Sequence, residues 1–258
     1  MPETGERKME RRSDFAAWLE RQTGSAYVWG AQGHRVERDG SVHLRDREVS
    51  PNYISWTKLR ETSRKNAERA AAYIRKKLDE GAESISCYDC SGLIMAYLKE
   101  MKGYLTCDMT SRALFLITEE IAKDELDIGD LVFRHNGERI VHVGAYVGNG
   151  FVIDSRGRDA GVVKQSISSF PWNRFGKLKL LDRSEETQEH VPYYGKCCGK
   201  SVYVRSGAGT AYPILATAHR GDKLIALPEE NGWQRIAICC KGKMLTGYMS
   251  AKYIEYAY

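Results

Sequence analysis

No stretch of this chain approaches the roughly 20 consecutive apolar residues that a membrane-crossing helix needs, so a helical span is excluded. The opening segment, Met1 to Arg12, is charged and holds no apolar core. No secretory signal is therefore expected there, and the product is expected to begin its life in the cytoplasm. Seven cysteines are an odd number, which argues against a disulfide framework in such a chain. Cys87-Tyr-Asp-Cys90 has redox or zinc spacing, but no second Cys-x-x-Cys and no His-x-x-x-His pair stands by to complete four ligands. Only one of those two thiols is expected to matter. No internal repeat links one part of the chain to another.

What is present supports packed cores: 42% hydrophobic residues and 15 tyrosines in 258 residues. The length fits two domains better than one. The net charge of +5 is unevenly placed. Residues 196–258 hold nine basic and four acidic side chains, so the first 195 residues are neutral. A neutral large part and a basic small tail suggest two units with different jobs. The charge is too mild to argue for nucleic acid and suits an anionic polymer or surface.

Along the chain, 13–23 reads as a short helix with Ser13 as N-cap, Phe15, Trp18 and Leu19 on one face, and Gly24 as its stop. Tyr27-Val-Trp-Gly30 is extended. Residues 31–54 read as polar and irregular, and a helix is expected from Thr57 to Leu78. A third helix, 90–101, is nearly apolar and should be buried. From Asp130 the pattern turns to strands: 130–134, 139–147, 151–154, 162–163 and 177–181. Helices followed by a strand meander make an α+β order. Residues 183–195 read as a linker. Beyond it, short strands at 201–205, 223–227, 234–239 and 246–249 make a small all-β barrel. The pairs Cys197-Cys198 and Cys239-Cys240 could form a metal site if their strands meet; buried small side chains are the preferred reading.

Cys90 follows Asp89 at the start of the buried helix, where the helix dipole would favour a thiolate. His142 sits mid-strand, with Gly144 two positions on and on the same side. Asp154 ends the next strand and would reach the far nitrogen of His142. That is the nucleophile, base and orienting-group logic of a cysteine hydrolase. By itself, a histidine in a strand is more often a satisfied core residue, and an aspartate at a strand end is more often a turn former.

Four pieces in order resemble the NlpC/p60 cysteine peptidases: Tyr27-Val-Trp-Gly30, Asp89-Cys-Ser-Gly-Leu93, Gly129-Asp-Leu-Val-Phe133, and His142-Val-Gly-Ala-Tyr-Val-Gly-Asn-Gly150. The resemblance covers residues 13–181 and implies a papain-like catalytic domain over 1–182 that acts on bacterial peptidoglycan stem peptides. It implies Cys90 as nucleophile, His142 as base, Asp154 as orienting residue, Tyr27 as an oxyanion or substrate contact, and Asp89 and Ser91 as peptide contacts. Trp29 would be structural or line the groove. No metal or organic cofactor is implied. The expected reaction is cleavage between D-Glu and the third residue, with an N-acetylmuramoyl-L-alanine amidase, or an inactive wall-binding protein, as alternatives.

Two departures stand out. The family's third residue is often His where this chain has Asp154. Residues 31–86, with a helix, intervene between the Tyr-x-Trp-Gly piece and the nucleophile; this insertion reads as a specificity wall or lid, or else as solvated decoration. The tail, 196–258, resembles a bacterial SH3 domain through Val204-Arg-Ser-Gly-Ala-Gly-Thr210, Tyr212-Pro213, Asn231-Gly-Trp233 and Gly247-Tyr-Met-Ser250. Tyr203, Tyr212, Trp233, Tyr248 and Tyr253 are candidates to stack on wall sugars or peptide, or else to fill a small core. Expected partners are the stem peptide and anionic wall polymers, with no nucleic acid. With no signal, the expected route to the wall is a holin (as for phage lysins), a phage particle or a mobile-element secretion system.

Overall fold

The computed structural model describes residues 4–102, 108–182, 193–240 and 243–256. They fall into two compact units, one within Met1–Met101 and Met109–Asp182, the other within Lys102–Asp108 and Arg183–Tyr258.

The first unit is mixed α and β. Helix α1 runs Thr4–Arg21, and strand β1 is Ala26–Tyr27. Strands β2 (Gln32–Glu37), β3 (Val42–Leu44) and β4 (Arg47–Ser50) follow, then helices α2 (Tyr53–Arg60) and α3 (Arg64–Asp79). Strand β5 (Ser84–Tyr88) leads into helix α4 (Cys90–Met95), which continues as a π-turn over Ala96–Met101. Helix α5 (Ser111–Ile117) opens the second half. Its strands are β6 (Glu119–Ile121), β7 (Leu131–His135), β8 (Ile140–Tyr146), β9 (Phe151–Gly157), β10 (Gly161–Ser166) and β11 (Arg174–Lys177). One sheet has the order β1-β5-β2-β3-β4; the other is the meander β10-β9-β8-β7-β11-β6.

Helix α4 packs against both sheets, touching β8 and β9 of the meander and β2 and β5 of the other. Its apolar composition follows from that position. Leu93, Ile94, Met95 and Leu98 are fully buried, each contributing roughly 1.5–3 kcal/mol. Gly92 is required on packing grounds, because a Cβ there would stand 2.0 Å from the Ala31 carbonyl oxygen. The two sheets are also tied by Ser155, whose buried Oγ donates to the Tyr88 carbonyl at 2.9 Å.

Several expectations are corrected. Ser13 lies inside α1 rather than capping it. The helix extends through the charged run because Arg12, 2% exposed, pairs with Asp130 at 2.8 Å and Asp182 at 2.6 Å. Residues 31–54 are not irregular: β2 and β3 pair antiparallel, with Val36 and Val42 in the core, and the alternation was hidden by charges on the other face. The helix expected over 57–78 is two helices, capped separately by Asn52 and Ser63. The strand expected at 177–181 is a 3₁₀ turn over Lys179–Asp182, the strand lying earlier at Arg174–Lys177. Of the linker expected at 183–195, residues 183–192 lie outside the described set, and 193–195 belong to a strand.

Among the described residues, the regular elements of the second unit are strands and one 3₁₀ turn, Ala251–Tyr253. Its strands are β12 (Tyr193–Cys197), β13 (Ser201–Arg205), β14 (Ile214–His219), β15 (Lys223–Glu230), β16 (Trp233–Cys240), β17 (Lys243–Ser250) and β18 (Ile254–Tyr256). They are ordered β14-β13-β17-β16-β15-β12-β18 around a core that includes Val204, Ile236, Ile238 and Met249.

Candidate active site

Asp89 caps α4. Its Oδ1 accepts from Gly92 N at 2.6 Å, and its Oδ2 accepts from Gly30 N at 2.7 Å. One carboxylate therefore holds both the start of the nucleophile helix and the end of the Tyr27–Gly30 strip. The strip is also held by β1 pairing parallel to β5, which sets Tyr27 beside Tyr88. Ser91 Oγ donates to Asp89 Oδ1 at 3.2 Å.

Cys90 is partly open to solvent, whereas Cys87 is fully buried on β5. The Cys90 sulfur accepts from the backbone N–H groups of Val143 and Ser91, so it lies against β8 one residue from His142. Burial, with the Asp89 carboxylate adding to it, pushes the thiol up to about 12; those two N–H groups pull the other way. The expectation of a dipole-lowered thiol is thus corrected: α4 is a short helix, and desolvation with a neighbouring carboxylate outweighs its N-terminus. Tyr27, 6% exposed, is likewise pushed up, first by burial and then by Cys90 and Asp89, so its hydroxyl keeps its proton and stays a donor.

On β8, His142 Nε2–H donates to Asp154 Oδ2 at 2.7 Å, the tautomer following from a carboxylate acceptor. Nδ1 is then the lone pair available as a base. Asp154 on β9 is fully buried. Burial alone would raise its carboxyl, but hydrogen bonds from Arg156 and His142 outweigh that and bring it below its ordinary value. The imidazole stacks on Trp172 with ring centroids 5.4 Å apart and planes 12° from parallel.

The insertion also reaches this wall. Glu61, at the end of α2, has a fully buried side chain. Its Oε1 accepts from Trp29 N at 3.0 Å, and its Oε2 accepts from Arg158 Nε at 2.9 Å. Arg158 in turn lies 4.7 Å over the Tyr27 ring. The preceding residue, Arg60, donates to the Gly30 carbonyl at 2.8 Å. Trp29 itself is 51% exposed.

The fold therefore brings Tyr27, Asp89, Cys90, Ser91, His142 and Asp154 into one region. Both Asp89 oxygens are occupied by the chain's own N–H groups, which favours a structural tie over peptide contact. Sequence reasoning missed Glu61, Arg156, Arg158 and Trp172. Arg156 was findable, since two positions from Asp154 on a strand is the same face; Glu61 and Trp172 come from other segments, and Arg158 just past β9 meets its partner Glu61 from 97 residues away.

In the tail, a groove of about 280 Å³ is lined by Tyr203, Arg205, Thr210, Trp233, Lys252 and Tyr253, among others. Tyr212 is half exposed and would overlap any side chain at Gly207; neither Tyr212 nor Tyr248 lines the groove. Cys197 is buried and donates to the Gly199 carbonyl, while Cys198 donates to the Lys252 carbonyl. The side chains of Cys239 and Cys240, and all of Cys107, lie outside the described residues. Among the described residues, no group of three or more His, Cys, Asp or Glu is gathered as a metal site. No helix among them is long and apolar enough to cross a membrane.

A thiol, an imidazole with one free nitrogen and a carboxylate fixing the other nitrogen are the parts of thiol-dependent acyl transfer. Residues 76–178 match the NlpC/P60 family, and residues 200–255 match the bacterial SH3 domain. The chain thus holds a segment that matches the NlpC/P60 family, followed by one that matches the bacterial SH3 domain. It is 34% identical over 106 residues to "Probable endopeptidase p60" of Listeria seeligeri, covering 41% of this chain and 20% of that protein. It is 33% identical over 106 residues to "Bifunctional muramidase/DL-endopeptidase CwlT" of Bacillus subtilis, covering 38% of this chain and 31% of that protein. The matched segment thus spans only about a fifth to a third of these relatives. Among solved structures, the NlpC/p60 domain of peptidoglycan hydrolase SagA aligns at 16% identity and a TM-score of 0.40, covering 65% of this chain and 98% of that one. The peptidoglycan hydrolase RipB of Mycobacterium tuberculosis aligns at 19% identity and a TM-score of 0.41, covering 69% of this chain and 68% of that one.

Proposed function

We propose that this protein is a peptidoglycan endopeptidase that cuts a stem-peptide amide through Cys90 and His142. The observation that carries the reading is the 2.7 Å bond from His142 Nε2 to Asp154, beside a thiol seated against β8. With the thiol protonated at rest, His142 Nδ1 takes its proton as sulfur attacks the carbonyl carbon. The tetrahedral oxyanion is met by the Tyr27 hydroxyl, and His142 then protonates the leaving amine. Water, activated by the same imidazole, releases the acyl group from sulfur. The bond between D-Glu and the third residue is the proposed target, in keeping with the name of the Bacillus subtilis relative.

The tail is proposed to hold the enzyme on the wall through its aromatic and basic groove. Purified protein should clear a peptidoglycan suspension, and Cys90→Ala should not. Clearing by Cys90→Ala at the wild-type rate would refute the assignment. Mass spectrometry of the released fragments identifies the bond cut, and a free L-Ala amino terminus would point instead to the amidase reaction.

A further inference from the structure

Asp154 serves two partners at once. Its Oδ2 accepts from His142 Nε2 and from Arg156 Nε, each at 2.7 Å, and its Oδ1 accepts from Arg156 Nη2 at 2.7 Å. The guanidinium is fixed in turn: its central carbon lies 4.1 Å from the Phe170 ring centroid and 5.9 Å from that of Trp172. Trp172 is the ring on which the imidazole stacks, and Phe170 and Trp172 touch with centroids 4.6 Å apart. Guanidinium, carboxylate and imidazole thus form one braced row. Arg156 is itself little exposed, with 18% of its side chain open.

We infer that Arg156 is a positioning residue that sets how strongly Asp154 favours the protonated form of His142. The inference rests on the reading of His142 as the general base. A lone buried carboxylate against an imidazole would strongly favour imidazolium. A bidentate guanidinium cancels most of that charge, while leaving an oxygen to accept the Nε2–H bond. The imidazole is then oriented as by a bare aspartate, with less of the carboxylate's charge drawing a proton onto it. The same pairing keeps Asp154 ionised despite its burial, consistent with its lowered carboxyl.

Other charges are carried by the elements around β8. Arg134 on β7 stands opposite His142 in the register, but its Nη1 donates to the His135 carbonyl. Arg112 lies on α5, and Cys90 with Asp89 at the head of α4. Among the described cationic groups, Arg156 is the one bonded directly to the carboxylate that holds the imidazole.

The test is an NMR pH titration of the His142 imidazole in the full chain, its signal assigned by its loss in His142→Gln. Wild type is compared with Arg156→Gln, Arg156→Met and Arg156→Lys. In Arg156→Gln the midpoint should rise by about one pH unit, a tenfold gain in proton affinity. The acidic limb of the kcat/KM profile for wall hydrolysis should rise by the same amount. Arg156→Met, which keeps apolar packing on Phe170, should give the same shift if the glutamine variant does not fold. Arg156→Lys keeps the charge without the fork, so its midpoint should stay within a few tenths of a unit of wild type, while kcat falls. An unchanged or lower midpoint in the uncharged variants, or equal shifts in Lys and Gln, would overturn the inference. If the midpoints move as expected but wild type releases nothing from walls, the proposed function fails and the role of Arg156 toward His142 stands.

Discussion

Gly144 faces Asp154 across β8 and β9 at a distance that admits no side chain: a Cβ there would stand 2.9 Å from Asp154 Cβ and 2.9 Å from Val152 Cγ1. The missing methyl lets the carboxylate lean along the strand to His142 Nε2. Gly144→Ala should therefore push Asp154 away from the imidazole. We expect a stability loss of about 1–3 kcal/mol from overpacking and at least a tenfold loss of wall-clearing rate. Thermal unfolding and turbidity assays measure the two. A wild-type rate in the alanine variant would show that the bond to Asp154 is dispensable.

Asp154→Asn should leave the fold in place but present the wrong partner to Nε2. By analogy with other triads, a fall of about 10²–10⁴-fold in kcat is expected. The carboxyl is lowered in the folded state, so its stabilising contribution is full above the unfolded value near ~3.9 and disappears as pH falls through the lower folded value. Unfolding followed between pH 6 and 2 should thus show a steeper acid loss in wild type than in Asp154→Asn.

Cys90 should react slowly with iodoacetamide at neutral pH, because burial and Asp89 hold the thiol high. In a His142→Gln background, where no imidazole takes the proton, the rate should keep climbing beyond pH 9. Adding Asp89→Asn removes one of the two causes and should speed alkylation at pH 8 by roughly threefold to tenfold. No acceleration would leave burial as the whole cause.

Glu61 belongs to the insertion, yet it holds Trp29 N and Arg158 with a fully buried carboxylate. Glu61→Ala leaves the Arg158 guanidinium and the Trp29 N–H without their acceptor, and a loss of about 3–5 kcal/mol is expected by urea unfolding. A loss under 1 kcal/mol would return the insertion to the status of decoration.

In the tail, Tyr203 is half exposed at the groove and carries little of the core, so Tyr203→Ala should keep its melting temperature. Combined with Lys252→Ala it should reduce co-sedimentation with walls. Salt should weaken wild-type binding more than that of the double variant. Equal sedimentation of wild type and double variant would remove the groove from wall binding.

The legible part of the site was local or periodic. Asp89-Cys90-Ser91-Gly92 announces a capped helix start, and His142 and Gly144 fall on one strand face by alternation. The reach from Asp154 to His142 was anticipated because adjacent antiparallel strands joined by a short turn leave few registers. The β2–β4 hairpins were missed because charged outer faces masked Val36 and Val42. The break between α2 and α3 was missed because a polar Thr-Ser pair, 62–63, looks no different from a solvated helix face.

By itself, then, the sequence determined the two-part division, the motifs that point to Cys90 and His142, and Asp154 at the end of the adjacent strand, since these rest on short-range spacing and hydrophobic period. Tertiary structure alone decided the charge environment. It put Glu61 on Arg158 and on Trp29 N, and Asp89 between Gly30 and α4, and it raised the thiol instead of lowering it. The reason is physical: desolvation and ion pairing depend on what surrounds a group in space, and the partners here come from segments as far as 97 residues apart in the chain.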